Sequence, residues 1–137
     1  MKLTNQEVVS IYRWLNVPLH GEELRSRVKF IGYILPQTEG LDAKRLKFCE
    51  GFADKDEDGK PILEKGQFKM TEENTKMFGE EYQKLLKEEK EYEIDSDNKK
   101  HFQTTHTILS TKVVNGMGID EGAVYDTVLN KFETCLN

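Results

Sequence analysis

Apolar residues recur along this chain at intervals of three and four, and proline, glycine and acidic turns interrupt them. That spacing lines one side of an α-helix, so helices are predicted over most of the length. Residues 4–15, TNQEVVSIYRWL, place Val8, Ile11, Tyr12 and Leu15 on one face, with Thr4 or Asn5 as the cap. Pro18 and Gly21 then force a turn. In residues 22–35, Leu24, Val28, Ile31 and Leu35 form the expected core stripe, and Pro36 stops the helix. Thr38 is the expected cap of a third helix, residues 39–53, whose apolar face is Leu41, Phe48, Cys49 and Phe52. Thr71 caps a fourth, residues 72–90, with Phe78, Tyr82, Leu85 and Leu86 inward and acid–base pairs outward.

The helical pattern breaks over residues 60–70. Residues 60–63 and 67–70 alternate as short strands do, and residues 64–66 suit a three-residue turn with Gly66 left-handed. Residues 91–94 are expected to add a third strand beside this hairpin. Residues 99–113 place Phe102, Thr105, Leu109 and Val113 at helical spacing but are rich in β-formers at Thr104, Thr105, Thr107 and Ile108; we read them as helix. Gly116 and Gly118 mark a turn. Asp120 then caps a last helix, residues 121–136, along Val124, Val128, Phe132 and Leu136. The expected fold is α+β, a mainly helical single domain of four or five helices with a small antiparallel hairpin.

The length of 137 residues fits one domain that needs no metal or disulfide to fold. Apolar content of 36% against 33% charged residues is that of a globular chain rather than a disordered one. No apolar run spans a membrane, and the opening MKLTNQEVV lacks a signal core, so the cytoplasm is the expected location. Cys49 and Cys135 fall on apolar faces and are expected as buried thiols. The net charge of −5 is uneven. Residues 1–38 carry 5 basic and 3 acidic groups, residues 39–97 carry 11 and 18, and residues 98–137 carry 4 of each. An acidic middle third repels nucleic acid and steers toward a basic protein surface.

The stretch DKDEDGKPILEKG, residues 54–66, begins as a calcium loop does, with Asp54, Asp56 and Asp58 at positions one, three and five and Gly59 at six. It then departs from that pattern. Pro61 holds position eight, and Lys65 stands where the bidentate glutamate belongs. We therefore expect an acidic turn leading into the hairpin, with no metal and no cofactor. No nucleophile elbow, phosphate loop, dinucleotide fingerprint or zinc helix is present, and His101 and His106 are spaced too far around a helix to share a metal. The carboxylate pairs Glu80–Glu81 and Glu88–Glu89 lie on a polar face, where no burial separates their protonation. An enzyme is not expected. Arg25, Arg27 and Lys29 on the second helix evoke a helix-turn-helix, but the acidic balance and Pro18 in the turn argue against nucleic acid.

Taken together, the opening MKLTNQEV, the segment ELRSRVKFI, the turn ADKDEDGKP, the run EEYQKLLKEE and the closing VYDTVLNKFE resemble a family of short uncharacterised proteins of tailed bacteriophages of Gram-positive hosts. The resemblance covers nearly the whole chain and supplies no catalytic residue. It implies a phage origin, the host cytoplasm and a protein partner. Two functions follow as expectations: a factor that binds a host protein, such as an inhibitor of an antiphage defence component, or an assembly factor or minor component of the phage tail. Two partner surfaces are expected. One is Trp14 beside Arg13, where tryptophan is either an exposed anchor or part of the core. The other is an acidic belt of Asp54, Asp56, Glu57, Asp58, Glu80, Glu81 and Glu88, suited to a basic groove on a host or phage protein.

Overall fold

The computed structural model describes residues 1–113 and 116–137. The fold is α+β and mainly helical, with small antiparallel strand pairs, as the hydrophobic pattern predicts. The chain divides into two compact units. One comprises Met1–Thr38 with Glu89–Asn137, and the other is Glu39–Glu88.

The first unit opens with a strand that the pattern did not reveal, β1 (Lys2–Thr4), followed by α1 (Asn5–Trp14) and α2 (Gly21–Ile34). Thr4 caps α1 by a reciprocal box: its hydroxyl accepts the Glu7 N–H, while its own N–H donates to Glu7 Oε2. Buried Glu7 also accepts Lys131 Nζ at 2.7 Å. A 3₁₀ turn at Leu35–Thr38 follows α2. Thr38 lies inside this turn, its hydroxyl donating to the Leu35 carbonyl, so it does not cap the next helix. After the second unit the chain returns as β4 (Glu89–Glu91), α5 (Lys99–Thr111) and α6 (Ile119–Leu136). β4 pairs with β1, Leu3 opposite Lys90, and not with the hairpin. Gly118, not Asp120, stands at the α6 cap position, and Asp120 lies in the first turn.

The core of this unit gathers Leu3, Val8, Ile11, Leu15, Phe30, Ile34, Phe102, Ile108, Leu109, Val128 and Phe132, all without solvent contact. Phe30 and Phe102 meet edge to face at 5.1 Å between centroids, and Phe132 closes the cluster at 5.8 Å from Phe30. The face of α2 that enters this core is Ser26, Phe30 and Ile34, with Tyr33 half-buried. The predicted core stripe is therefore corrected. Val28, Leu24 and Leu35 are exposed, and only Ile31 is partly covered. Tyr12 of α1, expected inward, is also exposed. Both sides of α2 are apolar, and the bulkier aromatic side has taken the core. Packing overrides strand propensity in α5, where Phe102, Thr105, Ile108 and Leu109 form the buried face.

The second unit contains α3 (Leu41–Phe52), β2 (Leu63–Glu64), β3 (Gln67–Phe68) and α4 (Glu72–Leu86). Lys55 Nζ donates to the free carbonyls of Glu50 and Ala53 at the end of α3. Thr71 caps α4 as expected, and Asn74 Nδ2 ties α4 to the Phe52 carbonyl. The hairpin pairs Leu63 with Phe68 and Glu64 with Gln67, which leaves a two-residue loop rather than three. Lys65 and Gly66 both have positive φ, 51° and 78°, as a tight I′-type turn requires. Cys49 is buried here. Cys135 of the first unit is exposed on the last turn of α6, beside an open cleft lined by Met1 and Tyr92, contrary to expectation.

Candidate functional site

Trp14 is in the core, 5% exposed. Its ring meets Tyr125 edge-on at 5.3 Å, and its Nε1 donates to Glu121 Oε1 at 3.0 Å. Arg13 is exposed but donates to the same carboxylate oxygen at 2.7 Å. Those two hydrogen bonds, the indole first, hold the Glu121 carboxyl below its ordinary range. Trp14 and Arg13 thus fasten α1 to the start of α6, and the reading of Trp14 as an exposed anchor is withdrawn.

The acidic belt lies on the second unit. Asp54 is half-buried, its N–H donating to the Lys69 carbonyl and its carbonyl accepting from Ile62. Asp56 turns its Oδ1 back onto its own loop, where it accepts the N–H groups of Asp58 and Lys60 at 2.9 Å. This is an Asx turn built from the residues that open the calcium-like pattern. Among the described residues no three histidine, cysteine or acidic side chains are placed to hold a metal ion. Glu57 and Asp58 are exposed at the loop tip. On α4, Glu80 is exposed and Glu81 pairs with Lys84 at 3.1 Å; Glu88 is exposed just beyond the helix. The unit carries 13 acidic and 10 basic side chains, so the belt is interleaved with lysine.

The exposed apolar residues of the first unit have a different organisation. Leu24, Val28 and Leu35, together with Ile31, which is partly buried against the core, follow one another at intervals of four, three and four, the spacing of a helix–helix seam. Val28 is 62% exposed, and Leu24 and Leu35 about 40%. At 3.6 residues per turn this stripe lies roughly 130° around α2 from the core face. Tyr12, 51% exposed, and Val9 present α1's own outward apolar pair. Between the two helices is a cleft of about 260 Å³, lined by Tyr12, Leu15, Asn16, Arg27 and Ile31. Leu15 and Ile31 supply apolar lining, and Arg27 and Asn16 polar lining.

Arg27 is fixed there by two hydrogen bonds from Nη1, to the carbonyls of Leu15 (2.8 Å) and Val17 (2.5 Å). It satisfies the free end of α1, and among the described residues it forms no salt bridge. The sequence reading placed this stripe in the core. The signal that could have corrected it is the second apolar row of the same helix, Phe30, Tyr33 and Ile34. Among the described residues no helix is long and apolar enough to cross a membrane. No protein-family model matches the chain, and neither a curated protein nor a solved structure is similar to it.

Proposed function

We propose that this chain is a protein-binding factor and that its docking face is the outer side of α1 and α2. In keeping with the phage resemblance, the bound protein would be a host protein, such as a defence component that is blocked or redirected. One observation carries the reading: a helix of the first unit shows Leu24, Val28 and Leu35 of a seam-spaced apolar row to solvent while another side of it is packed in the core. Exposed apolar patches of this kind on a folded protein mark interaction surfaces. The cleft beside the stripe supplies what docking helices need, a pocket for an anchoring side chain next to an extended apolar row.

The test is a comparison of two baits, the wild-type chain and the double variant Leu24→Asp/Val28→Asp, in extract of infected cells with quantitative mass spectrometry. Both substitutions are at exposed positions, so the circular dichroism spectrum should not change. A host protein enriched by the wild-type chain and lost from the variant is the expected result. Equal enrichment on both baits would refute the docking face. Enrichment of virion proteins alone would favour the tail-assembly role.

A further inference from the structure

We infer that the partner segment is an amphipathic α-helix whose apolar row is flanked by acidic residues. This rests on reading the α1–α2 face as a docking surface, and it names the chemistry of the occupant. The argument is charge complementarity. On one side of the stripe lie Arg25 and Lys29, both exposed, and among the described residues neither forms a salt bridge. On the other side lies Arg27, whose guanidinium donates to two backbone carbonyls and, among the described residues, forms no salt bridge. Of the acidic residues at the start of α2, Glu22 is bonded by Lys100 at 3.0 Å and also lies within the field of Arg25, without a salt bridge to it, and Glu23 is half-buried in the first turn.

The stripe is therefore an apolar row between cations that, among the described residues, form no salt bridge. Glutamate or aspartate flanking the apolar row of an incoming helix would meet those cations on both sides, as complementary flanks do in paired helices. A second copy of α2 would instead bring the same three cations into one seam. A membrane surface fits less well. The inner face of α2 is locked by Phe30 and Ile34, so only a narrow row is presented, whereas a helix lying in a bilayer presents a broad apolar side. The stripe from Leu24 to Leu35 is about 16 Å long at 1.5 Å per residue. That matches roughly three turns of a partner helix, with one bulky side chain seated in the cleft between Tyr12 and Ile31.

The experiment uses the full chain and two synthetic three-heptad helical peptides with the same leucine row. One carries glutamate on both flanks and the other lysine; like charges keep each peptide monomeric. Binding is read by fluorescence anisotropy and by backbone amide shifts of the labelled protein. The expected result is that the glutamate peptide binds about tenfold more tightly than its twin, with its shifts on α1 and α2. Arg25→Glu/Lys29→Glu should remove this preference, and Val28→Asp should abolish binding.

If both peptides bind alike and Val28→Asp abolishes both, the acidic assignment is overturned while the docking face stands. No shift on α1 or α2 with either peptide would overturn the docking face as well. Self-association abolished by Val28→Asp would assign the stripe to a second copy. Stripe-dependent binding to vesicles of anionic phospholipid would assign it to a membrane. Either of those results overturns the proposal.

Discussion

Tyr92 shows how one residue can close a unit. Its N–H donates to the Met1 carbonyl at 2.7 Å, and its carbonyl accepts the Met1 ammonium at 2.8 Å. Its hydroxyl donates to Gln37 Oε1 at 2.5 Å, and Gln37 Nε2 donates onward to the Leu3 carbonyl. The ring is 8% exposed, and burial pushes the phenol up to about 12 from the ordinary 10. The neutral form is thus the one the fold favours. Its contribution is whole below pH 10, and it is lost as pH rises through about 12, because the unfolded chain releases the proton first. Stability should therefore fall with pH across that window. Tyr92→Phe should flatten this part of the slope while costing about 1 kcal/mol at neutral pH for the lost hydrogen bond. Denaturant unfolding across the alkaline range measures the first effect. Phenolate absorbance should lose its latest-titrating component in the variant, and an unchanged titration would refute the assignment. Nothing in the sequence marked Tyr92 for this role, because its partners lie 55 and 91 residues away. Trp14 was ambiguous for the same reason: its indole is satisfied by Glu121, 107 residues on.

At the scale of elements, legibility followed how local the deciding interaction was. The Thr4 and Thr71 caps were readable because each bonds an N–H three residues ahead. The existence of α2 was readable, but its orientation was not. Leu24–Val28–Ile31–Leu35 is the better-formed heptad row, yet Phe30 and Tyr33 meet the Phe102 ring of α5 and Phe30 also meets Phe132 of α6. A pattern confined to one helix does not rank two apolar sides against each other. Strand β1 was missed because three residues carry no period, and its partner is β4. The hairpin was found, with Gly66 left-handed as expected, but the loop is one residue shorter. Lys65 shares the left-handed conformation, which a side chain with a Cβ adopts at a cost. Lys65→Asn should therefore be neutral or stabilising, by up to about 1 kcal/mol, and Gly66→Ala should destabilise by about 1 kcal/mol or more. Urea midpoints of the two variants check the pair, and a stabilising Gly66→Ala would contradict the turn geometry.

At the scale of the whole molecule, the first unit is discontinuous in sequence yet closed in space. Every member of its hydrophobic cluster, buried or partly buried, comes from Met1–Thr38 or Glu89–Asn137. The two segments are joined at the point of departure and return. β1 pairs with β4, and Gln37 receives the Tyr92 hydroxyl only one residue before Thr38 ends the first segment. The chain thus leaves and re-enters this unit at neighbouring places, and residues 39–88 are an excursion between them. A unit with its own core and closely spaced cut points tolerates replacement of what lies between. Replacing residues 40–87 by a flexible linker of about ten glycine and serine residues, whose extended reach is about 30 Å, should leave the first unit folded. The shortened chain should unfold cooperatively, keep the Trp14 environment in near-ultraviolet circular dichroism, and retain the α1 and α2 amide shifts of the intact protein. It should also keep the docking behaviour assigned to the stripe, since every residue of that face lies in Met1–Thr38. Loss of cooperative unfolding would show that residues 39–88 are needed to complete the core. A folded chain without docking would show instead that the second unit contributes to the binding surface.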